Sequence, residues 1–241
     1  MGAALSGYDA LQCNRTVARM PFNLPRVTKA LLIANGVGFL LQWLLGNQRL
    51  VALMLWPWGD VDFDPAGMAP AFMPWQLVSY SFLHGGFLHL AFNMLALAMF
   101  GAPLEYTWGE RRFLTYYLVC VVGAGLCQLL VGSYALAQGA DPYPTIGASG
   151  GVFGLLLAYG LLFPHQRVML LFPPIPMKAR TLVIVFGVLT LLMGITGTAA
   201  GIAHFAHLGG MLFGWLLIRH WRGQPPFGRR GRGGPKMRIV R

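Results

Sequence analysis

Residues 145–163 read Thr-Ile-Gly-Ala-Ser-Gly-Gly-Val-Phe-Gly-Leu-Leu-Leu-Ala-Tyr-Gly-Leu-Leu-Phe, a single serine, Ser149, set among glycines at the mouth of an uncharged apolar run. Such a run is compatible with hydrocarbon, where a hydroxyl without a partner is costly. Ser149 is therefore either a helix cap bonded to nearby backbone or a group kept there for chemistry. The run also belongs to a series. In a chain of 241 residues that is 56% hydrophobic, apolar stretches recur at about 27–46, 82–101, 113–132, 147–163, 181–197 and 202–221. A bilayer-crossing helix needs roughly 17 to 25 such residues. With only 18 Lys and Arg and 7 Asp and Glu, an aqueous surface of ordinary charge density cannot be built. The expectation is an all-α polytopic membrane protein, a bundle of six transmembrane helices filling residues 27–221 and leaving no room for a second folded domain.

Charge placement gives an orientation. With six crossings and both termini cytoplasmic, the inner segments hold 17 of the 18 Lys and Arg, all but Arg49, against the acids Asp9, Glu105 and Glu110. The outer segments hold Arg49 against Asp60, Asp62, Asp64 and Asp141. Basic residues concentrate on the cytoplasmic side of membrane proteins, so a multi-pass protein of the cell membrane with both ends inside is expected. Residues 1–26 then form a cytoplasmic N-terminal segment. They mix Asp9, Asn14, Arg15 and Arg19 with scattered apolar residues and lack a short apolar core with a cleavage site, so the first span is expected to stay. Residues 222–241 form a basic, Gly-rich, disordered cytoplasmic tail suited to anionic lipid. Phe227 is the only aromatic residue among its arginines, so no base-stacking platform is indicated and nucleic acid is not expected as a partner. Cys13, Cys120 and Cys127 lack metal-ligand spacing and are expected to be packing residues.

Two loops stand out. The outer loop, about 47–81, is aromatic and acidic, with Trp56, Trp58, Asp60, Asp62, Phe63, Asp64 and Trp75, and is expected to lie partly in the headgroup region. The inner loop 164–180 carries Pro164, Pro173, Pro174 and Pro176, cannot be one helix, and is expected simply to turn the chain.

Polar residues within spans each need a partner where there is no water, so they locate function. The second span has His84, His89 and Asn93, with His89 and Asn93 one turn apart on one face. The fourth opens with Gly147-Ala148-Ser149-Gly150, and the sixth contains His204 and His207. Spans two, four and six run in the same direction, which puts His89, Asn93, Ser149 and His207 at one outer level. Small residues four apart, Gly147 and Gly151, Gly150 and Gly154, and Gly210 and Gly214, let spans four and six approach closely. Close approach is what a serine to histidine hydrogen bond requires. The run Gly147-Ala-Ser149-Gly-Gly151 also fits G-x-S-x-G, the nucleophile elbow of soluble hydrolases. That fit misleads, because an elbow needs a preceding strand and an acid between serine and histidine, and no Asp or Glu follows Asp141. A hydrolytic unit here would be a Ser149 and His207 dyad.

His84-x-x-x-x-His89-x-x-x-Asn93, Gly147-Ala148-Ser149-Gly150 and Ala206-His207-Leu208-Gly209-Gly210, in that order on alternate spans, resemble the motifs of the rhomboid family of intramembrane serine proteases. The resemblance covers about residues 27–221. It implies Ser149 as nucleophile and His207 as general base, with His89, Asn93 and the Ser149 backbone N–H stabilising the oxyanion. It also implies a substrate that is itself a membrane-spanning helix, cut near its outer end with no cofactor or metal. One place departs from the family pattern: many rhomboids carry Trp-Arg in the first loop, and this chain has Trp75-Gln76.

Two other classes fit parts of the sequence. A metal or haem site could draw on His84, His89, His204 and His207, but has no carboxylate or thiolate at that level and leaves Ser149 without a role. A proteolytically inactive, client-binding rhomboid-like protein typically lacks the serine or the histidine, and this chain has both.

Overall fold

The computed structural model describes residues 24–59, 70–169, 174–197 and 203–224. The N-terminal segment through residue 23 with Cys13, the acidic stretch Asp60 to Asp64 and the tail beyond residue 224 lie outside the described residues. The long helices are α1 (Arg26–Leu45), α2 (Phe87–Trp108), α3 (Glu110–Ala137), α4 (Ser149–Leu162), α5 (Ala179–Thr196) and α6 (His204–Trp221). Four of them, α1, α2, α3 and α5, are long and apolar enough to cross a membrane. The 14 residues of α4 rise only about 21 Å, short of the roughly 30 Å of a hydrocarbon core. Helix α6 has 18 residues, but His204, His207, Arg219 and His220 make it less apolar.

The core is built around α3, α4 and α6, with α6 packed most extensively against the other two. Glycines set the spacing. The Gly210 Cα faces the Gly150 carbonyl so closely that an added Cβ would overlap it, and one on Gly154 would overlap Cys120. Gly150 and Gly154 of span four thus meet Gly210 of span six, which brings polar groups on the two helices within reach of one another, whereas Gly151 and Gly214 face α3 and Gly147 faces His89. Cys120 and Cys127 are free; Cys120 is buried, and each packs against glycines, Cys127 against Gly209. Tyr116 crosses the same layer, its hydroxyl donating to the Gly154 carbonyl at 2.8 Å.

Several boundaries differ from the expected ones, each for a local reason. The second helix starts at Phe87 rather than 82, because Tyr80–Phe82 closes a 3-10 turn and Gly86 is extended. It ends at Trp108 rather than 101 after a π-helical stretch, Leu97–Gly101. Pro103 has no N–H to give and its ring crowds the carbonyl four residues back; the wider turn relieves this without ending the helix. Glu105 is consequently part of α2 and buried, not a loop acid. Its carboxylate accepts from the Val27 amide at 2.9 Å, the Thr28 amide at 2.7 Å and the Thr28 hydroxyl at 2.8 Å. Helix α1 follows Pro25 with no side-chain cap of its own, so a carboxylate from α2 supplies the cap and meets the positive end of the dipole. The proline-rich inner segment does more than turn the chain: Arg167–Met169 (β1) pairs antiparallel with Pro176–Lys178 (β2).

The first loop folds onto the bundle through neutral hydrogen bonds. Gln76 is fully buried; its Oε1 accepts from the Trp56 amide at 3.2 Å and its Nε2 donates to the Ala52 carbonyl at 3.3 Å. The Trp75 indole N–H reaches the same Ala52 carbonyl at 3.0 Å, and the Ser79 hydroxyl donates to the Leu53 carbonyl at 2.7 Å. The pair Trp75-Gln76 therefore ties the loop down without a charge. Trp56 is buried, whereas Trp58 and Trp75 are exposed as interfacial tryptophans would be.

Candidate active site

Ser149 is the first residue of α4, and Ala148 holds the cap position without a capping side chain. The serine hydroxyl is not used as a cap. It meets His207 Nε2 of α6 at 2.8 Å, within hydrogen-bond range. The first intrahelical bond of α4 runs from the Val152 amide to the Ala148 carbonyl, so the Ser149 amide is one of the unpaired donors at the helix start.

The turn leading into Ser149 is fixed from both sides. Leu55 and Thr145 exchange backbone hydrogen bonds of 3.0 and 2.8 Å, and the Gly147 amide donates to the Tyr80 carbonyl at 2.9 Å. Tyr80 is itself anchored by its hydroxyl to the Val121 carbonyl of α3. Gly147 has φ +125°, a conformation that side chains oppose. A Cβ there would also stand 2.8 Å from His89 Nε2 and 3.7 Å from Ser149 Oγ. The missing side chain lets the His89 ring edge close to a distance that a Cβ could not accommodate, beside the serine hydroxyl.

His89 lies in the first turn of α2, half-buried, with that ring edge toward Gly147. Asn93 is buried one turn further on, and its Nδ2 donates to the His89 carbonyl at 2.9 Å. An amide nitrogen has two N–H donors, so this bond engages one of them. Ser149 and His89 thus both come close to Gly147, His207 joins them through its contact with the serine hydroxyl, and Asn93 is linked to His89 along its own helix.

Other residues of the site were not singled out by sequence. Phe153, one turn beyond Ser149, stacks on His207 with ring centroids 4.1 Å apart and planes 2° from parallel. Spacing i, i+4 from the serine was the available signal. The stacked ring and the serine leave the imidazole little freedom to turn. Gln42 of α1 accepts from the His84 amide at 2.7 Å and donates to the His84 carbonyl at 3.2 Å, which fixes the segment ahead of α2. His84 precedes the helix and shares no helix face with His89, yet the two rings meet edge to face at 5.1 Å. His204 stands perpendicular to His207 at 6.3 Å. Among the described residues no three of His, Cys, Asp or Glu gather as a metal-ligand set.

Comparison with known proteins bears on the same residues. Residues 71–222, which include all four expected site residues, match the rhomboid domain family model. Rhomboid protein 1, mitochondrial, of Saccharomyces cerevisiae is 33% identical over 155 residues, 60% of this chain and 42% of that protein. RHOMBOID-like protein 5 of Arabidopsis thaliana is 35% identical over 145 residues, 60% of this chain and 44% of that one. Rhomboid protease GluP of Bacillus subtilis is 32% identical over 142 residues, 59% of this chain and 25% of the relative. The chain thus spans less than half the length of each of these relatives. With a family match over most of its length and several apolar helices, the chain belongs to the rhomboid family of multi-pass membrane proteins.

Proposed function

We propose that this chain is an intramembrane serine endopeptidase that hydrolyses peptide bonds in or near the transmembrane helices of other membrane proteins. The observation that carries the proposal is the 2.8 Å contact between Ser149 Oγ and His207 Nε2. His207 takes the serine proton as the oxygen attacks the scissile carbonyl, then gives it to the leaving amine; water repeats the cycle on the acyl-enzyme. Charge developing on the carbonyl oxygen is met by the Ser149 amide and by the side chains of His89 and Asn93. Removing one such donor lowers the rate by about 10² to 10³. His207 is oriented by Phe153 and by packing, and among the described residues no carboxylate hydrogen-bonds it.

Six crossings with both termini cytoplasmic complete the proposal, with α4 and α6 as the two central spans. A short α4 would place Ser149 below the membrane surface in a cavity reached by water from the outer side, where irregular backbone is tolerated because it lines a cavity. Substrate helices unwind near their outer ends to enter it. The lipid bilayer is the working environment, and neither a cofactor nor nucleic acid takes part.

A cleavage assay in liposomes against a panel of single-span helices tests this. The wild type is expected to cut some of them, and Ser149→Ala and His207→Ala to cut none. Full cleavage by Ser149→Ala would end the proposal.

A further inference from the structure

The Gly85 backbone amide donates to His89 Nδ1 at 3.2 Å. A peptide N–H has nothing to accept with, so the nitrogen it meets must present a lone pair. A neutral imidazole has one N–H and one lone pair, and its proton then sits on Nε2. That is the nitrogen on the ring edge beside Gly147, 2.8 Å from the point where a Gly147 Cβ would stand, and Ser149 Oγ lies 3.7 Å from the same point. His84 offers no alternative partner for Nδ1, since it meets the His89 ring edge to face and, among the described residues, its own two buried ring nitrogens have no hydrogen-bond partner. The Gly85 amide is in turn positioned by the neighbouring residue: Gln42 holds the His84 amide and carbonyl from α1.

Resting on the protease function proposed above, we infer that the Gly85 amide is a positioning group that sets the tautomer of His89. With Nδ1 engaged, His89 presents an N–H donor to the space beside Ser149; in the other tautomer it would present a lone pair, which repels an oxyanion. The interaction is a main-chain one, which is why no side-chain motif marks it.

The test replaces Gly85 of the full-length chain with glycolic acid, which exchanges the N–H for an ester oxygen and adds no atoms. In liposomes kcat is expected to fall by about tenfold or more, up to the about 10² to 10³ of a lost oxyanion donor, with KM unchanged. An unchanged melting temperature shows that the fold persists. Solid-state NMR of the wild type with ring-15N histidine, with His89 assigned by its loss in His89→Gln, is expected to show protonated Nε2 and unprotonated Nδ1. In the ester variant the Nδ1–H form is expected to gain population. A wild-type Nδ1–H tautomer, or an ester variant with wild-type kcat, would overturn the inference. If the wild type shows no Ser149-dependent cleavage while its NMR spectrum shows the Nε2–H form, the protease function falls and the catalytic meaning of the tautomer with it. The NMR readout separates that failure from a wrong tautomer.

Discussion

The two sides of the Ser149 space are built by different means. On one side, serine and histidine sit on α4 and α6, helices whose backbones touch at Gly150 and Gly210, and their 2.8 Å contact follows from that seam. On the other, His89 lies at the start of α2, just after a loop, and its ring is set by a hydrogen bond from local backbone, the Gly85 amide. The seam offers no slack, so the geometry of the pair depends on the absence of side chains several residues away. The loop side has slack, so it depends on a few directed bonds. The proposed proton transfer between Ser149 and His207 would tolerate little displacement, and it falls in the closely packed half.

This contrast predicts a ranking. Gly210→Ala should have the largest effect, because its Cβ meets the Gly150 backbone carbonyl rather than a side chain that could move. Overpacking of this kind costs about 1 to 3 kcal/mol. A helix shift of about 1 Å lowers kcat by about 10²-fold, read in a liposome cleavage assay with a parallel melting curve. Wild-type turnover by Gly210→Ala would break the claim that the seam sets the pair.

Gly147→Ala comes next. It asks a side chain to adopt φ +125° and places a methyl against His89 Nε2. The strain costs about 1 to 3 kcal/mol. Because the methyl fills the space beside Ser149, kcat should fall by about tenfold or more while substrate binding, measured with Ser149→Ala in the background, changes little.

Phe153→Ala should cost less. The stacked contact on His207 is worth about 0.5 to 1.5 kcal/mol, equivalent to a fall of about two- to thirteenfold in kcat if the ring serves only to orient the imidazole. Phe153→Tyr, which keeps the stacked face, should recover most of it, and failure of that rescue would argue for a different role. The smallest effect is expected far from both halves. Gly36 lies on an exposed face of α1 with nothing within 4 Å of an added Cβ, so Gly36→Ala should leave cleavage unchanged and stabilise the helix by about 0.5 to 1 kcal/mol.

The rigid half was the more legible in sequence. Ser149 and His207 were found from the depth that alternate spans share and from glycines at spacing four, both properties of helix periodicity. The absence of any acid after Asp141 limited the unit to two residues. The loop half is less legible. His84 looked like a member of the second span, but the Gly85-Gly86 step delays the helix to Phe87, and periodicity does not report where a helix starts. Glu105 looked like an inner-loop acid, because an apolar run ends before it and nothing in the run announces a π-helical turn ahead of Pro103. Gln42 and the Gly85 amide are not legible in the sequence, because one acts through a contact across elements and the other through main chain, and neither leaves a spacing to count. Phe153 carries only its i, i+4 spacing from Ser149, which does not by itself tell a ring stacked on His207 from an ordinary packing residue.

The central claim is that Ser149 is a nucleophile activated by His207. Labelling of the intact protein in liposomes with a fluorophosphonate, followed by peptide mapping, tests it most directly. A single adduct on Ser149, absent from Ser149→Ala and strongly reduced in His207→Ala, is the predicted result. An unlabelled Ser149 in protein that retains its melting transition, or equal labelling in His207→Ala, would contradict it.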